Sequence, residues 1–225
     1  MAALAGKRQP VTSFGFDAPQ EGQIGLRRTN RGECIAYGEE LLLSVDEFPL
    51  LGRHNLANAL AVLALGVALE ANLHGMAQAL KRFRGLPHRM QVIAQRDGVT
   101  WIDDSKATNV DAALSSLNGV DDPVILIAGG DAKGATFEAL AAAIDGRSVE
   151  VLLLGRDAGR MAQALAPVCE PVVVNDMGSA VRIAHDRVSD GCTVLLAPAC
   201  SSLDMYRDFA ARGDAFRQAV QEVLA

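Results

Sequence analysis

Hydrophobic and polar positions follow two different patterns along the chain. In the first fifty residues, short β-like runs alternate with turns that contain glycine, which predicts a small antiparallel meander. The predicted strands cover residues 11–16, 23–27, 33–37 and 40–45. An Ala/Leu-rich stretch follows at residues 55–73, and it is apolar on nearly all sides. This stretch predicts a buried helix with Asn55 as its N-cap.

From residue 90 onward the pattern becomes a regular alternation of strand and helix. The predicted strands are 91–94, 100–103, 124–128, 149–154, 172–174 and 193–197, and the predicted helices are 110–117, 137–144, 158–166, 177–188, 202–211 and a last one after Gly213. The strand runs are continuously apolar, as in V-I-L-I-A and V-E-V-L-L-L, which is typical of a parallel sheet covered by helices on both faces. We therefore expect an α/β chain. Its residues 86–225 form a Rossmann-like, mostly parallel sheet domain, and residues 1–85 hold short antiparallel strands and a buried helix.

Composition and charge exclude several classes of protein. The 225 residues are 50% hydrophobic and 21% charged, as in ordinary globular proteins, so intrinsic disorder is excluded. A net charge of −6 and 4% aromatic residues argue against a nucleic-acid partner. The start of the chain lacks the apolar segment of a signal peptide, and the most apolar stretch, 59–69, is too short to span a membrane. Four cysteines without C-x-x-C spacing predict reduced structural thiols and no metal site, so we expect a cytoplasmic protein without a membrane partner.

The residues that can carry chemistry follow the predicted strands. They lie in residues 103–109, 129–134, 155–157 and 198–204, and the carboxyl ends of parallel strands meet at one sheet edge. Lys106 and Lys133, together with several helix N-termini, predict a site for a substrate with more than one negative charge. Simpler interpretations stay open: Thr108 or Asn109 as a helix cap, the glycines near Lys133 as turn formers, and the serines of 201–202 as caps.

Other chemistries fit the sequence less well. Cys200 lies in A-C-S-S-L, which lacks the G-x-S-x-G arrangement of a hydrolase nucleophile. The glycines at 129–134 do not form the G-x-G-x-x-G of a dinucleotide site. Gly6 and Lys7 are followed by Arg8 rather than Ser or Thr, so they do not form a phosphate loop.

Five stretches of sequence carry a specific resemblance. They are L-G-R-H-N-L-A-N-A-L at 51–60, G-L-P-H-R-M at 85–90, D-D-S-K-A-T-N at 103–109, A-G-G-D-A-K-G at 128–134, and L-A-P-A-C-S-S-L-D-M-Y-R-D-F at 196–209. In this order they resemble the Mur ligases of peptidoglycan synthesis, and within that family the members that add D-glutamate. The resemblance implies that residues 1–85 are the end of a central ATP-binding domain and that 86–225 are a domain presenting the amino acid. It also implies that a UDP-binding domain, a phosphate loop and the Mg²⁺ ligands lie upstream of Met1. The chain by itself is therefore expected to be inactive.

The resemblance further implies an ADP-forming acid–D-amino-acid ligase that uses ATP and Mg²⁺. The carboxylate of UDP-N-acetylmuramoyl-L-alanine would be phosphorylated, and the amine of D-glutamate would then attack the acyl phosphate. The complete enzyme is expected to be a monomer whose partners are small molecules. The alternatives are a non-catalytic α/β module that binds an acidic amino acid and another ligase of the Mur or folylpolyglutamate type.

The matching positions imply a role for each site residue. Lys106 and Asp104 form the catalytic group, with Lys106 near the transferring phosphate or the acceptor's carboxylate and Asp104 also at the ribose of ATP. The other nucleotide-binding residues are Asn55, Asn58 and Arg89. The D-glutamate-binding residues are Thr108, Lys133, Ser202, Leu203 and Phe209.

Overall fold

The computed structural model describes residues 11–50 and 52–225, and the chain divides into two compact units between Gly85 and Leu86. The interpretations made for residues 1–10, including Gly6 and Lys7, and for position 51 lie outside the described residues. Each unit is a separate assembly of strands and helices and is described by itself.

The first unit contains a four-stranded sheet in the order β1-β2-β3-β4. Its strands are β1 (Ser13–Phe14), β2 (Gln23–Thr29), β3 (Gly32–Tyr37) and β4 (Glu40–Ser44). The meander is antiparallel from β2 to β4, as predicted, whereas β1 runs parallel to β2. The difference arises because residues 15–22 carry the chain back along β2, where the Leu26 amide donates to the Asp17 carbonyl at 3.1 Å.

Two helices pack in the first unit, α1 (Arg53–Ala68) and α2 (Leu73–Arg82), where one was predicted. Asn55 is not the N-cap: α1 begins after Gly52, whose φ of 90° turns the chain and whose carbonyl accepts from the Asn55 amide. The helix ends at Ala68, and the side chain of Asn72 caps α2. Only one face of α1 is buried, because Leu60 and Leu63 are fully buried while Leu65 is 64% exposed. An apolar composition alone could not distinguish these two faces.

The second unit is built on a six-stranded sheet in the order β5-β6-β10-β7-β8-β9. The strands are β5 (Gln91–Arg96), β6 (Val99–Asp103), β7 (Val124–Ala128), β8 (Val149–Leu153), β9 (Val172–Val173) and β10 (Thr193–Leu196). Only β5 is antiparallel to its neighbour, so the prediction of a mostly parallel α/β sheet is confirmed. The helices are α3 (Val110–Leu117), α4 (Glu138–Ile144), α5 (Ala158–Leu165), α6 (Met177–Arg187) and α7 (Phe209–Leu224).

Apolar cores cover both faces of this sheet. Leu126 packs with side chains of α3, α4 and α5 on one face, whereas Ile127 packs with Trp101 and Phe216 on the other. This alternation along β7 explains why its sequence is continuously apolar.

The chain after β10 differs from the prediction. Residues 202–208 form a turn rather than a helix, with the Ser202 carbonyl accepting from the Tyr206 amide at 2.8 Å. A single helix, α7, then begins after Asp208, whose side chain accepts from the Ala211 amide at 2.7 Å. Gly213 lies inside this helix instead of separating two helices. None of the helices in the described part of the chain is long and apolar enough to cross a membrane.

Candidate functional site

Three loops of the second unit meet at the carboxyl edge of the parallel strands: the β6 loop (103–109), the β7 loop (129–135) and the β10 loop (197–208). The Ala199 amide donates to the Ala107 carbonyl at 3.0 Å, which joins the β10 and β6 loops. Asp131 and Ser201 exchange two backbone hydrogen bonds of 2.9 Å, which join the β7 and β10 loops. The strand order fixes this meeting, because β10 lies between β6 and β7.

Lys106 and Phe209 lie together at this edge. The Lys106 Nζ atom is 4.1 Å from the centroid of the Phe209 ring, a cation–π arrangement. The Ser105 hydroxyl donates to the Phe209 carbonyl at 2.8 Å and so fixes the start of α7 against the β6 loop. Thr108 is half-buried on the same loop. Asn109 is the N-cap of α3, since its side chain accepts from the Ala112 amide at 2.9 Å. Thr108 is therefore not the N-cap of that helix.

Asp104 is a buried carboxylate with two hydrogen-bond partners. One oxygen accepts from the Met90 amide at 3.2 Å and the other from the Ser116 hydroxyl. Burial raises the pKa of Asp104, and the hydrogen bonds from Ser116 and Met90 and the charge of Arg89 offset part of that rise. Asp104 therefore combines a desolvated carboxylate with a fixed orientation, which is typical of a functional acid.

A buried polar cluster beside Asp104 was missed in the sequence. Asp103 is fully buried, its Oδ2 lies 2.8 Å from His88 Nδ1, and its Oδ1 accepts from the Ser105 amide at 2.9 Å. Gly213 on α7 packs directly against this cluster, since a Cβ there would lie 2.6 Å from Asp103 Oδ2 and 2.7 Å from Ser105 Oγ. His88 and Asp103 are fifteen residues apart and Gly213 is far along the chain. No spacing rule links them, although the two adjacent aspartates at the end of β6 were a partial signal.

The buried side chain of Arg212 connects the β6 loop to the β10 loop. Its guanidinium donates to the Ser105 carbonyl at 2.9 Å and to the Cys200 carbonyl at 3.1 Å. Burial lowers the pKa of Arg212 to about 10, so it stays charged at neutral pH. Burial also raises the pKa of the Cys200 thiol to about 12, which leaves it protonated and unsuited to nucleophilic attack. All four cysteines are free thiols, as expected, and Cys192 and Cys200 are buried.

Lys133 is exposed in the β7 loop and has a left-handed backbone, with φ of 50°. Its amide donates to Asp131 Oδ1 at 3.0 Å. In residues 11–50 and 52–225, neither Lys133 nor Lys106 forms an ion pair, whereas Lys81 pairs with Glu47. In the β10 loop Ser202 is buried and Leu203 is 62% exposed. The edge therefore presents two cations without acidic partners beside one apolar side chain.

Of the other candidate residues, Asn55 and Asn58 lie in the first unit and Arg89 lies beside the β6 loop of the second unit. Asn55 is half-buried and Asn58 exposed, three residues apart on α1 of the first unit, so they share one helix face. Arg89 is exposed in the second unit. The described residues contain no group of three or more His, Cys, Asp or Glu side chains placed to hold a metal ion.

Comparison with known proteins decides the family. A family model described as "Mur ligase, glutamate ligase domain" matches residues 88–200. The chain belongs to the Mur ligase family. Two of its relatives, from Nitrosococcus oceani and Pseudomonas aeruginosa, are named UDP-N-acetylmuramoylalanine–D-glutamate ligase, and each is 44% identical to it. The matches cover 100% of this chain and 50% of the first relative, and 95% of this chain and 49% of the second. This Mur ligase chain thus spans about half the length of the curated relatives it matches.

Solved structures share the fold. UDP-N-acetylmuramate–alanine ligase MurC of Thermotoga maritima matches with a TM-score of 0.61 and 20% identity over 85% of this chain and 43% of that one. MurF ligase of the same organism, solved in complex with ADP, matches with a TM-score of 0.57 and 14% identity over 89% of this chain and 49% of that one. A folylpolyglutamate synthase of Thermotoga maritima matches with a TM-score of 0.55 and 19% identity, over 89% of this chain and 46% of that one. At these identities the likeness concerns the fold alone.

Proposed function

We propose that this Mur ligase chain belongs to an ATP-dependent, ADP-forming ligase that adds D-glutamate to UDP-N-acetylmuramoyl-L-alanine in peptidoglycan synthesis. The observation that carries the proposal is the pair of lysines without acidic partners, Lys106 and Lys133, on loops that meet at the carboxyl edge of the sheet. The names of the relatives support the choice of D-glutamate.

D-Glutamate brings two carboxylates and one amine to this edge. In the proposal Lys133 binds the side-chain carboxylate as a point charge, and Thr108 and Ser202 donate hydrogen bonds to the carboxylate oxygens. Leu203, which is exposed, and Phe209, which is half-buried, supply apolar contacts to the methylene groups. Two separated anion-binding groups would distinguish an acidic amino acid from a neutral one.

The nucleotide-binding residues of the proposal are those given by the family resemblance: Asn55, Asn58, Arg89 and Asp104. Asp104 fits a ribose hydroxyl, because one carboxylate oxygen accepts from the Met90 amide and the other from the Ser116 hydroxyl, and each can accept a second hydrogen bond. When bound, ATP supplies the phosphoryl group that converts the substrate's carboxylate into an acyl phosphate. The family resemblance places the Mg²⁺ ligands in another part of the enzyme, and the described residues contain no group of three or more His, Cys, Asp or Glu side chains placed to hold a metal ion.

The unprotonated amine of D-glutamate then attacks the carbonyl carbon of the acyl phosphate. The C–N bond forms, phosphate leaves with the electrons of the C–O bond, and the nitrogen loses one proton to water. Lys106 offsets the negative charge that develops during this step, and its contact with the Phe209 ring holds the ammonium group in place. Both substrates are anionic, which fits two lysines without acidic partners among the described residues at one edge of a chain with a net charge of −6.

In this proposal residues 1–85 belong to the ATP-binding domain and residues 86–225 form the D-glutamate domain. The 225 residues contain no G-x-x-x-x-G-K-[ST] sequence, so we expect no turnover from this chain alone. The complete enzyme would act as a cytoplasmic monomer, and its loss would affect cell shape and division. The same missing motif leaves a non-catalytic module for acidic amino acids as the second candidate, which would bind D-glutamate with no dependence on ATP.

Steady-state kinetics of the complete enzyme that contains this chain test the proposal. Lys133→Ala should raise the KM for D-glutamate by about tenfold or more and leave the KM for ATP within about twofold, because one charge-assisted contact is removed. Lys81→Ala is the matched control, since Lys81 is paired with Glu47 in the first unit. Equal changes in both KM values for Lys133→Ala, or a D-glutamate effect of the same size for Lys81→Ala, would reject the assignment.

A further inference from the structure

We infer that residues 155–160, at the start of α5, form the element that positions the Lys133 loop, with Asp157 and Arg160 as its positioning residues. The inference rests on the proposed function for the identity of the ligand, D-glutamate. The arrangement of the loop itself rests on contacts within the second unit.

The β7 loop needs support from outside. Lys133 has φ of 50°, and Gly129, Gly130 and Gly134 also have left-handed φ values of 113°, 130° and 83°. A non-glycine residue in this region costs about 1 kcal/mol or more, so it persists only where neighbouring contacts hold it. Among the described residues, the one side chain that accepts a hydrogen bond from the Lys133 amide is that of Asp131, which belongs to the same loop.

The start of α5 binds the β7 loop at its beginning, middle and end. The Asp157 amide donates to the Gly130 carbonyl at 3.0 Å, and Asp157 Oδ2 accepts from the Ala132 amide at 2.8 Å. Arg160 donates to the Ala135 carbonyl at 3.2 Å and to Asp157 Oδ1 at 3.2 Å. Lys133 therefore lies between two backbone positions that Asp157 and Arg160 fix.

Asp157 does not use its side chain to cap the backbone of its own helix. It is the N-cap residue of α5, yet its side chain makes no capping hydrogen bond. At the starts of α6 and α7, by contrast, Asp176 and Asp208 each accept a hydrogen bond from their own helix. The hydrogen bond from Ala132 is also the main reason why the pKa of Asp157 lies below its ordinary range. One carboxylate oxygen thus binds the Lys133 loop and the other binds the Arg160 side chain, and neither caps the backbone of α5.

The same segment also contacts the loop that carries Ser202 and Leu203. The Arg156 amide donates to Asp204 Oδ2 at 2.7 Å, and its guanidinium lies 3.0 Å from Asp131 Oδ2. Gly155 permits this close approach, since it has φ of 90° and a Cβ there would lie 2.6 Å from Asp204 Oδ2. One short segment therefore sets the separation of two loops that the proposal assigns to D-glutamate.

The test compares Asp157→Ala with Asp176→Ala in the 225-residue chain. Asp176 is the control because it starts the next helix and its side chain accepts from the Ser179 amide of that helix at 2.7 Å, not from an amide of the β7 loop. Hydrogen exchange by NMR should show the Ala132 amide exchanging about tenfold faster in Asp157→Ala and unchanged in Asp176→Ala. The Kd for D-glutamate, from an NMR titration, should rise about fivefold in Asp157→Ala alone.

Asp157→Asn distinguishes loss of loop positioning from loss of folding stability, because the side-chain oxygen of asparagine can still accept from the Ala132 amide. It should restore slow exchange of that amide and most of the D-glutamate affinity. Unchanged Ala132 exchange in Asp157→Ala, or equal losses of affinity in both alanine variants, would overturn the inference. If the wild-type chain shows no saturable D-glutamate binding while Ala132 exchange responds as expected, the proposed function fails and the positioning of the loop stands.

Discussion

The two ends of the six-stranded sheet differ in whether their cations have acidic partners in the described part of the chain: Arg147 at the amino end is paired, whereas two lysines at the carboxyl end are not, although Arg156 and Arg160 near them are paired. At the amino end Arg147 donates to Asp122 Oδ1 at 2.6 and 3.0 Å and to the carbonyls of Leu117 and Val120 at 3.1 Å, so its charge is fully used within the protein. At the carboxyl end Lys106 and Lys133 have no acidic partner among the described residues.

Arg147 therefore stabilises the fold, whereas Lys106 and Lys133 are available to bind a ligand. Arg147 ties three segments of the chain together, and Asp122 gains a pKa below its ordinary range from this partner. Asp104 has the opposite shift, because burial raises its pKa and its charge is held at a cost to stability. Charges that cost stability or lack partners concentrate at functional sites.

The largest expected loss of stability comes from a substitution at the carboxyl end of the sheet. Gly213→Ala should destabilise the second unit by about 3 kcal/mol, because the new methyl group would overlap His88, Asp103 and Ser105. Gly159→Ala is the control, since a Cβ at Gly159 meets nothing within 4 Å and should be neutral or stabilising by up to about 1 kcal/mol. Urea unfolding measures both variants, and similar effects of the two substitutions would show that the buried cluster is not tightly packed.

A smaller effect is expected at the amino end. Asp122→Asn should cost about 1 kcal/mol at neutral pH, because it weakens a partly exposed pair with Arg147. Since the folded-state pKa of Asp122 is lowered, its stabilisation is present above the ordinary value of 3.8 and is lost as pH falls through the lowered pKa. Urea unfolding of wild type and variant should therefore converge in acid. A constant difference at all pH values would contradict this account.

The smallest stability effect is expected for Asp104→Asn, which keeps partners for Met90 and Ser116. Because the folded-state pKa of Asp104 is raised, its favourable contribution is lost as pH rises through that pKa. The variant should thus match or exceed the wild-type Tm at pH 7 while the complete enzyme loses activity. A Tm several degrees lower would mean that Asp104 serves the fold instead.

Much of the second unit was predictable because its strands are continuously apolar. V-I-L-I-A gave β7 with the bounds predicted, and the parallel arrangement followed from the alternation with helices. The positions of Lys106 and Lys133 at the carboxyl edge followed from the same rule. These features depend on the pattern of apolar residues within each strand and helix, which can be read from one sequence.

Features that depend on distant contacts were not predictable. Gly213 was interpreted as a break between helices, but it lies within α7 because the helix packs closely on His88 and Asp103. The serines of 201–202 resembled helix caps, although the cap of α7 is Asp208. The link from Asp157 to Ala132 joins residues twenty-five positions apart and has no signature in the sequence.

The most direct test of the central claim is an NMR titration of the 225-residue chain with D-glutamate, with L-glutamate as the reference. We expect saturable shifts of amides in residues 104–109, 131–134 and 200–204, weaker binding of L-glutamate, and no response around Arg147 at the other end of the sheet. Absence of saturation, or shifts confined to the amino end, would contradict that claim.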